Sequence, residues 1–373
     1  MLAAATAGSL PEGGGGLAAK HPGDVGIEDD PEVVFAEAFE EVSLESMKSN
    51  WESVTDNGMF SFSPQKPVES EGDASLLITH IGGEGTGGSL YRRMLPGYEE
   101  LYYRFYVRFD PDCWRVHHST TVGGHNPSTP WPQGTAGKLP NGTDFCTTAV
   151  EPRGSDWQWD FYTYWLEMKP LYGNTFINDP AFNVPRGEWI CVEIMMKLND
   201  PVTSSNGEHA IWIDGELWRK DGQIVSHAGP GFPRGTWQGG SWNPDPAGEP
   251  FEGFRWRSST DLEINFLWLY AYISDAPIGH VSKTWFDDIV VASSYIGPIS
   301  PMIEPVTDDE IRRSDFNQDG EVGFLDFLDF VAHFGSRQSD PGFNGSFDLN
   351  TDGAIDFQDF LSFASVFGRR IAS

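Results

Sequence analysis

Cysteine is scarce in this chain. Cys113, Cys146 and Cys191 are the only three among 373 residues. An odd number permits at most one internal disulfide and leaves a thiol over. None has CxxC spacing, so zinc is not suggested. Basic residues are also few: 24 Lys and Arg against 55 Asp and Glu, a formal net charge of −31. From Asp308 onward 13 acids face 5 bases, which leaves −23 for the preceding residues, so the acidity is general. Such a charge argues against nucleic acid as a partner. No apolar run approaches a membrane span. Helical periodicity is sparse before Asp308. P-loop, GxGxxG and GxSxG patterns are missing from any fitting context, and HExxH is absent.

Aromatic residues and turn-formers are plentiful: Trp 14, Tyr 11, Phe 26, Gly 42 and Pro 26. That mixture suits a β-rich fold. Residues 1–32 are small, Gly-rich and then acidic, and read as a disordered or loosely attached leader. LAAATAG near the start reads as the remnant of a processed signal. From Val33 the pattern changes. VVFAEAFE is a first strand, SLESMKSNW a short helix or turn, and SLLITHIGG another strand. LYYRFYVRF is the clearest strand: Leu101, Tyr103, Phe105, Val107 and Phe109 alternate with Tyr102, Arg104, Tyr106 and Arg108. Period two of this kind predicts one face buried and one presented. EWICVEIMMKLN repeats the pattern, and HAIWIDGELWRK is a hairpin turning at Asp214-Gly215. DLEINFLWLYAYIS and TWFDDIVVAS supply further strands. The spacing predicts a mainly β jelly-roll sandwich over 33–297, a Pro-spaced linker over 298–310, and a separate C-terminal module over 311–373.

That module contains a repeat. DFNQDGEVGFLDFLDFVAHFG recurs 33 residues later as DLNTDGAIDFQDFLSFASVFG. Asp315, Asn317 and Asp319 stand at loop positions 1, 3 and 5, with Gly320 at 6, Glu321 at 7 and Asp326 at 12. Asp348, Asn350, Asp352, Gly353, Ala354 and Asp359 repeat the set. Oxygen ligands at this spacing, with a Gly for the sharp turn, wrap Ca²⁺. Position 12 holds Asp in place of the usual Glu. Two such loops, each followed by one helix with no full helix before it, resemble a dockerin type I module with EF-hand-like loops. The resemblance implies two Ca²⁺ ions, a cohesin-like scaffold protein as partner, and a secreted, extracellular or cell-surface-attached protein.

The order of signals over 33–297 is similar to concanavalin A-like jelly rolls, and among them to polysaccharide lyases. The motifs are the FAEAFE opening, the YRFYVRF strand, the GEW segment, the IWIDGE hairpin and the closing WFDDIVV strand. This implies a polysaccharide as substrate and β-elimination at a uronate as the reaction. Elimination needs a group to neutralise the C6 carboxylate, a base for the C5 proton and an acid for the leaving oxygen. Arg92, Arg104 and Arg108 are candidates for the carboxylate. His118, His125, Tyr162 and Tyr164 are candidates for base and acid. Tyr106, Trp131, Lys138 and Trp159 are candidates for binding the sugar. The adjacent His117 and His118 are expected to point opposite ways on a strand. A glycoside hydrolase of the same fold or a non-catalytic lectin-like protein are the alternatives. ExDxxE is absent, and Glu151, Glu167, Glu193 and Glu263 are isolated, which weakens the hydrolase reading. Glu37 or Glu40 with Asp287 or Asp288 is a further candidate for a structural Ca²⁺ site in the sandwich.

Overall fold

The structure, a computed structural model, describes residues 10–153, 157–170, 172–302 and 307–371. The signal remnant proposed near the start lies outside the described residues. The chain divides into two units, Met1–Pro301 and Met302–Ser373.

The first unit is built from two antiparallel sheets, with strands numbered in chain order. One sheet runs β12 (Glu216–Leu217), β11 (Glu208–Ile213), β10 (Trp189–Lys197), β6 (Glu100–Phe109), β20 (Val281–Ala292), β4 (Ser75–Ile81), β3 (Phe60–Ser63). In addition β1 (Val33–Glu37) pairs with β20, and β15 (His227–Ala228) with β11. The facing sheet has six strands: β2 (Ser53–Thr55), β5 (Ser89–Tyr98), β19 (Ile264–Tyr272), β7 (His118–His125), β8 (Phe145–Arg153) and β9 (Gln158–Tyr164). Two small accessories complete the unit. One is the ribbon β13 (Arg219–Lys220)–β14 (Gln223–Ile224). The other is the three-stranded sheet of β16 (Phe232–Gln238), β17 (Ser241–Pro244) and β18 (Glu249–Phe251). The mainly β sandwich expected from the alternation is present.

Period two decides which residues meet between the sheets. Tyr103, Phe105 and Val107 of β6 align with Ile194, Val192 and Ile190 of β10, and all six are buried in one core. From the other side come Val122, Val150, Phe161, Leu267 and Leu269. Each such side chain contributes about 1.5–3 kcal/mol by leaving water. The Asp214-Gly215 turn has φ of 52° and 81°, as a two-residue hairpin requires. In β20 a bulge at Asp287 and Asp288 interrupts the register with β6, and Asp288 takes φ 43°.

The Gly-rich start departs from the expectation of a loose leader. Leu17, Ala18 and Ile27 are buried against Tyr102, Met195, Trp212 and Tyr295 on the outer face of the β6 sheet. Leu17 and Ala18 donate backbone hydrogen bonds to the carbonyls of Tyr295 and Ile296, and Trp212 Nε1 donates to Pro11 O at 2.8 Å. A Cβ on Gly16 would lie 2.2 Å from Ile296 O, so glycine here serves close approach rather than flexibility. Sequence composition does not separate those two uses.

The second unit carries the repeat. A short helix α2 (Asp308–Ser314), closed by a Thr307–Glu310 capping box, precedes the first loop. The helices that follow the two loops are α3 (Phe324–His333) and α4 (Phe357–Val366), while α1 (Leu44–Lys48) belongs to the sandwich. Phe330 and Phe363, which are equivalent in the repeat, stack at 5.5 Å and 10°. Gly335 donates to Ile355 O and Gly368 to Val322 O, at 2.7 and 2.8 Å. Each loop is thus tied to the end of the other copy's helix, so the two halves fold as one piece.

Candidate active site

The outer face of the six-stranded sheet bears a trough of about 520 Å³. Alternation places its lining. From β9 come Tyr162 and Tyr164. From β8 come Thr147 and Ala149, which pair directly with Tyr164 and Tyr162. Strand β7 gives His118 and Thr121. Strand β19 gives Phe266, Trp268, Tyr270 and Tyr272, while its Leu267 and Leu269 face the core. The segment Gln133–Ala136, from the long loop after β7, forms a wall.

Polar contacts fix the floor. Tyr162 Oη and Tyr164 Oη are 3.2 Å apart, and Tyr270 Oη is 2.9 Å from Thr121 Oγ1. Burial, then the Tyr164 contact, raises the Tyr162 hydroxyl above the usual phenol range. His118 stacks on His117 at 4.3 Å and packs on Tyr162 at 5.0 Å. Its Nδ1 is 2.9 Å from Oε2 of buried Glu151. His117 and His118 both line the trough, contrary to the expected opposition. Strand β7 begins only at His118, and its register with β19 shifts between the Ser119 and Thr121 pairings, so strict alternation fails there. Burial, then neighbouring His118, lowers the His117 pKa.

The structure thus brings together His118, Tyr162 and Tyr164 and separates them from the other candidates. His125 is buried behind Phe145 and Phe266. Burial, helped by Lys138, lowers its pKa to about 4, so it stays neutral. Arg104 is fully buried on the outer face of the opposite sheet, paired with Asp24 and donating to Asp288 O at 3.0 Å. Tyr106 lies on the same outer face and accepts a hydrogen bond from Ile299 N. Arg108, also there, reaches Gln65 and lies over the Trp285 ring. The polar face of β6 therefore looks away from the trough. Arg92 lies over Phe35 and donates to Asn50 O. Trp159 is a core residue, 2% exposed. Trp131 and Lys138 flank the wall segment without lining the trough, and Lys138 Nζ donates to Gly134 O.

Among the described residues neither Arg nor Lys lines the trough. The aromatic row of β19 is legible in NFLWLYAY, where aromatics hold one parity and aliphatics the other from Phe266 to Ala271, but period two signals a strand without saying which face lies open. Glu151 carried no such signal, because its contact with His118 crosses from β8 to β7.

Among the described residues no three His, Cys, Asp or Glu side chains converge as a metal site. The repeat loops are nevertheless shaped alike. Asp315 accepts from Asp319 N and Gly320 N, and Asp348 from Asp352 N and Gly353 N. Asp326 accepts from Asn317 N and Gly323 N, and Asp359 from Asn350 N and Asp356 N. Gln318 and Thr351 share φ near 61° and 62°, Gly320 and Gly353 near 91° and 89°. In the sandwich, Asp287 and Asp288 are buried at the β20 bulge beside Glu37, each with an oxygen that lacks a protein partner.

No curated protein matches the chain significantly. Among solved structures the chain is similar to the alginate lyase Aly36B, at 13% identity and a TM-score of 0.46, covering 71% of this chain and 98% of that one. It is similar to an alginate lyase from Aplysia kurodai, at 10% identity and 0.47, covering 70% and 99%. It is also similar to an endo-β-1,4-glucuronan lyase from Trichoderma reesei, at 15% identity and 0.42, covering 70% and 96%. Residues 313–364 match the dockerin type I domain, and the tail of this chain is a module of that type.

Proposed function

We propose that the sandwich is a polysaccharide lyase acting on a uronate-containing glycan by β-elimination. The observation that carries this is the convergence of His118, Tyr162 and Tyr164 on one open trough walled by Trp268, Tyr270 and Tyr272. A base takes the C5 proton, the C5–H electron pair forms the C4–C5 double bond, the C4–O bond breaks, and an acid protonates the leaving oxygen. His118 and the tyrosine pair supply base and acid: the His118 ring packs on Tyr162 at 5.0 Å, and Tyr162 Oη is 3.2 Å from Tyr164 Oη. Aromatic faces stack on the sugar rings. With no Arg or Lys in the lining, hydrogen bonds from the Gln133 amide and His117 take the place of a fixed cation at the carboxylate.

Incubation with alginate, pectate, glucuronan and ulvan, followed by ultraviolet absorbance, tests the reaction. An unsaturated product is expected from at least one polymer, and none from any of the four overturns it. Binding on a glycan array without turnover supports the lectin-like reading, which the aromatic wall and missing cation also favour. Reducing ends without absorbance indicate hydrolysis. That outcome is disfavoured because Glu151 and Asp160, the one carboxylate pair across β8 and β9, are both buried.

The tail binds one Ca²⁺ in each loop through Asp315, Asn317, Asp319, Glu321 O and Asp326, and through Asp348, Asn350, Asp352, Ala354 O and Asp359. Glu37 or Glu40 with Asp287 or Asp288 holds a third ion; the partnerless oxygens at the bulge support this. The tail docks to a cohesin-like partner outside the cell. Supporting this, Phe324 and Phe357, equivalent in the repeat, are 64% and 61% exposed, and Leu328, Leu361, Phe334 and Phe367 are exposed in the same matched way.

A further inference from the structure

Glu151 follows Thr147 and Ala149 on the trough-side face of β8, where it pairs with Asp160 of β9. The two carboxylates have different surroundings. Asp160 Oδ1 accepts backbone hydrogen bonds from Phe161, Phe176 and Ile177, and its Oδ2 meets Arg153 at 3.2 Å. It is engaged in holding the Phe176–Ile177 segment against β9. Glu151 instead meets the side chain of His118, whose other sides are closed by His117 and Tyr162. The imidazole is therefore packed by neighbouring rings and held at Nδ1.

We infer that Glu151 is the positioning residue of His118: its carboxylate accepts the Nδ1 proton, fixes the ring, and leaves Nε2 with a lone pair for a glycan in the trough. This rests on the reading of the trough as the reaction site. An ionised Glu151 only accepts, and in that state the Nδ1 proton belongs to His118. When His118 takes a proton at Nε2 the ring becomes an imidazolium, and Glu151 offsets its charge without moving. The other titratable or charged groups facing the pair are Arg153 from β8, Asp160 and Tyr162 from β9, His117 before β7, and Tyr270 and Tyr272 from β19. Burial pushes Glu151 up from the usual carboxylate range, while the His118 hydrogen bond and charge pull against it.

The test is ¹⁵N NMR of the histidines in the full chain, with His118 assigned by the H118A variant. The wild type is expected to show His118 protonated at Nδ1 in its neutral form. A neutral His118 protonated at Nε2 overturns the inference, and this reading needs no second variant to fold. In folded E151A, which removes the acceptor, the Nδ1-protonated share of neutral His118 is expected to fall. An unchanged tautomer ratio overturns the inference. With a glycan that turns over, E151Q is expected to lose about 10- to 100-fold in kcat with little change in KM. A wild type inactive on every polymer defeats the lyase reading while the NMR result still decides the role of Glu151.

Discussion

Tyr162 and Tyr164 occupy successive outward positions of β9 and share a hydrogen bond of 3.2 Å, so the removal of one hydroxyl leaves the other without its neighbour. Tyr162→Phe is expected to lower kcat by about 100-fold or more, the usual worth of a positioned acid or base, with the melting temperature unchanged. Equal loss of kcat and stability in thermal melts and initial-rate assays would assign Tyr162 to packing instead. His125 makes the opposite case, a candidate base that the fold turned into a packing residue. Burial lowers its pKa to about 4 and that of His209 to about 3, well below the 6.5 of a free imidazole. The folded state refuses protons that the unfolded chain accepts. Their stability contribution is therefore complete above about pH 6.5 and is lost as pH falls toward 4. His125 alone accounts for on the order of 3 kcal/mol over that window. Denaturant titrations at pH 7 and pH 4.5 are expected to show the loss, and His125→Phe to flatten it.

At the scale of elements, β6 shows why a good strand prediction misplaced a site. Its alternation named two faces correctly but not which sheet carries the trough: one β6 face packs in the core, the other looks out on the opposite side of the sandwich, and no β6 residue lines the trough. Arg104 is held by Asp24 from the N-terminal segment, so a stretch read as a loose leader supplies the charge that lets a guanidinium be buried. Arg104→Met leaves Asp24 and the bulge carboxylates without that cation and is expected to cost about 3–5 kcal/mol, measured by urea unfolding. The repeat loops were legible because their function resides in local spacing: ligand positions 1, 3, 5 and 12 and a left-handed glycine recur in both copies. Chelation of calcium is expected to abolish the helical circular dichroism of the tail while the sandwich melts as before. Loss of both transitions together would show that the sandwich also depends on the ion.

On the scale of the whole molecule, the charge of −31 meets a trough without Arg or Lys. An anionic polymer therefore approaches against the protein's own field. Raising salt from about 0.02 to 0.3 M shrinks the Debye length from over 20 Å to under 6 Å. Under the lyase reading kcat/KM on a polyuronate is expected to rise several-fold over that range; a fall would point to a fixed cation at the substrate carboxylate. The acidity, the β class, the strand faces and the calcium repeat were fixed by the sequence alone, since each depends on composition or on neighbours within one element. Tertiary structure decided which β6 face is covered, that Gly16 and its segment pack rather than wander, that His117 and His118 face the same trough, and that Glu151 stands under His118. Those facts depend on register between strands far apart in the chain, and a register shift moves every side chain without altering the pattern that predicts the strand.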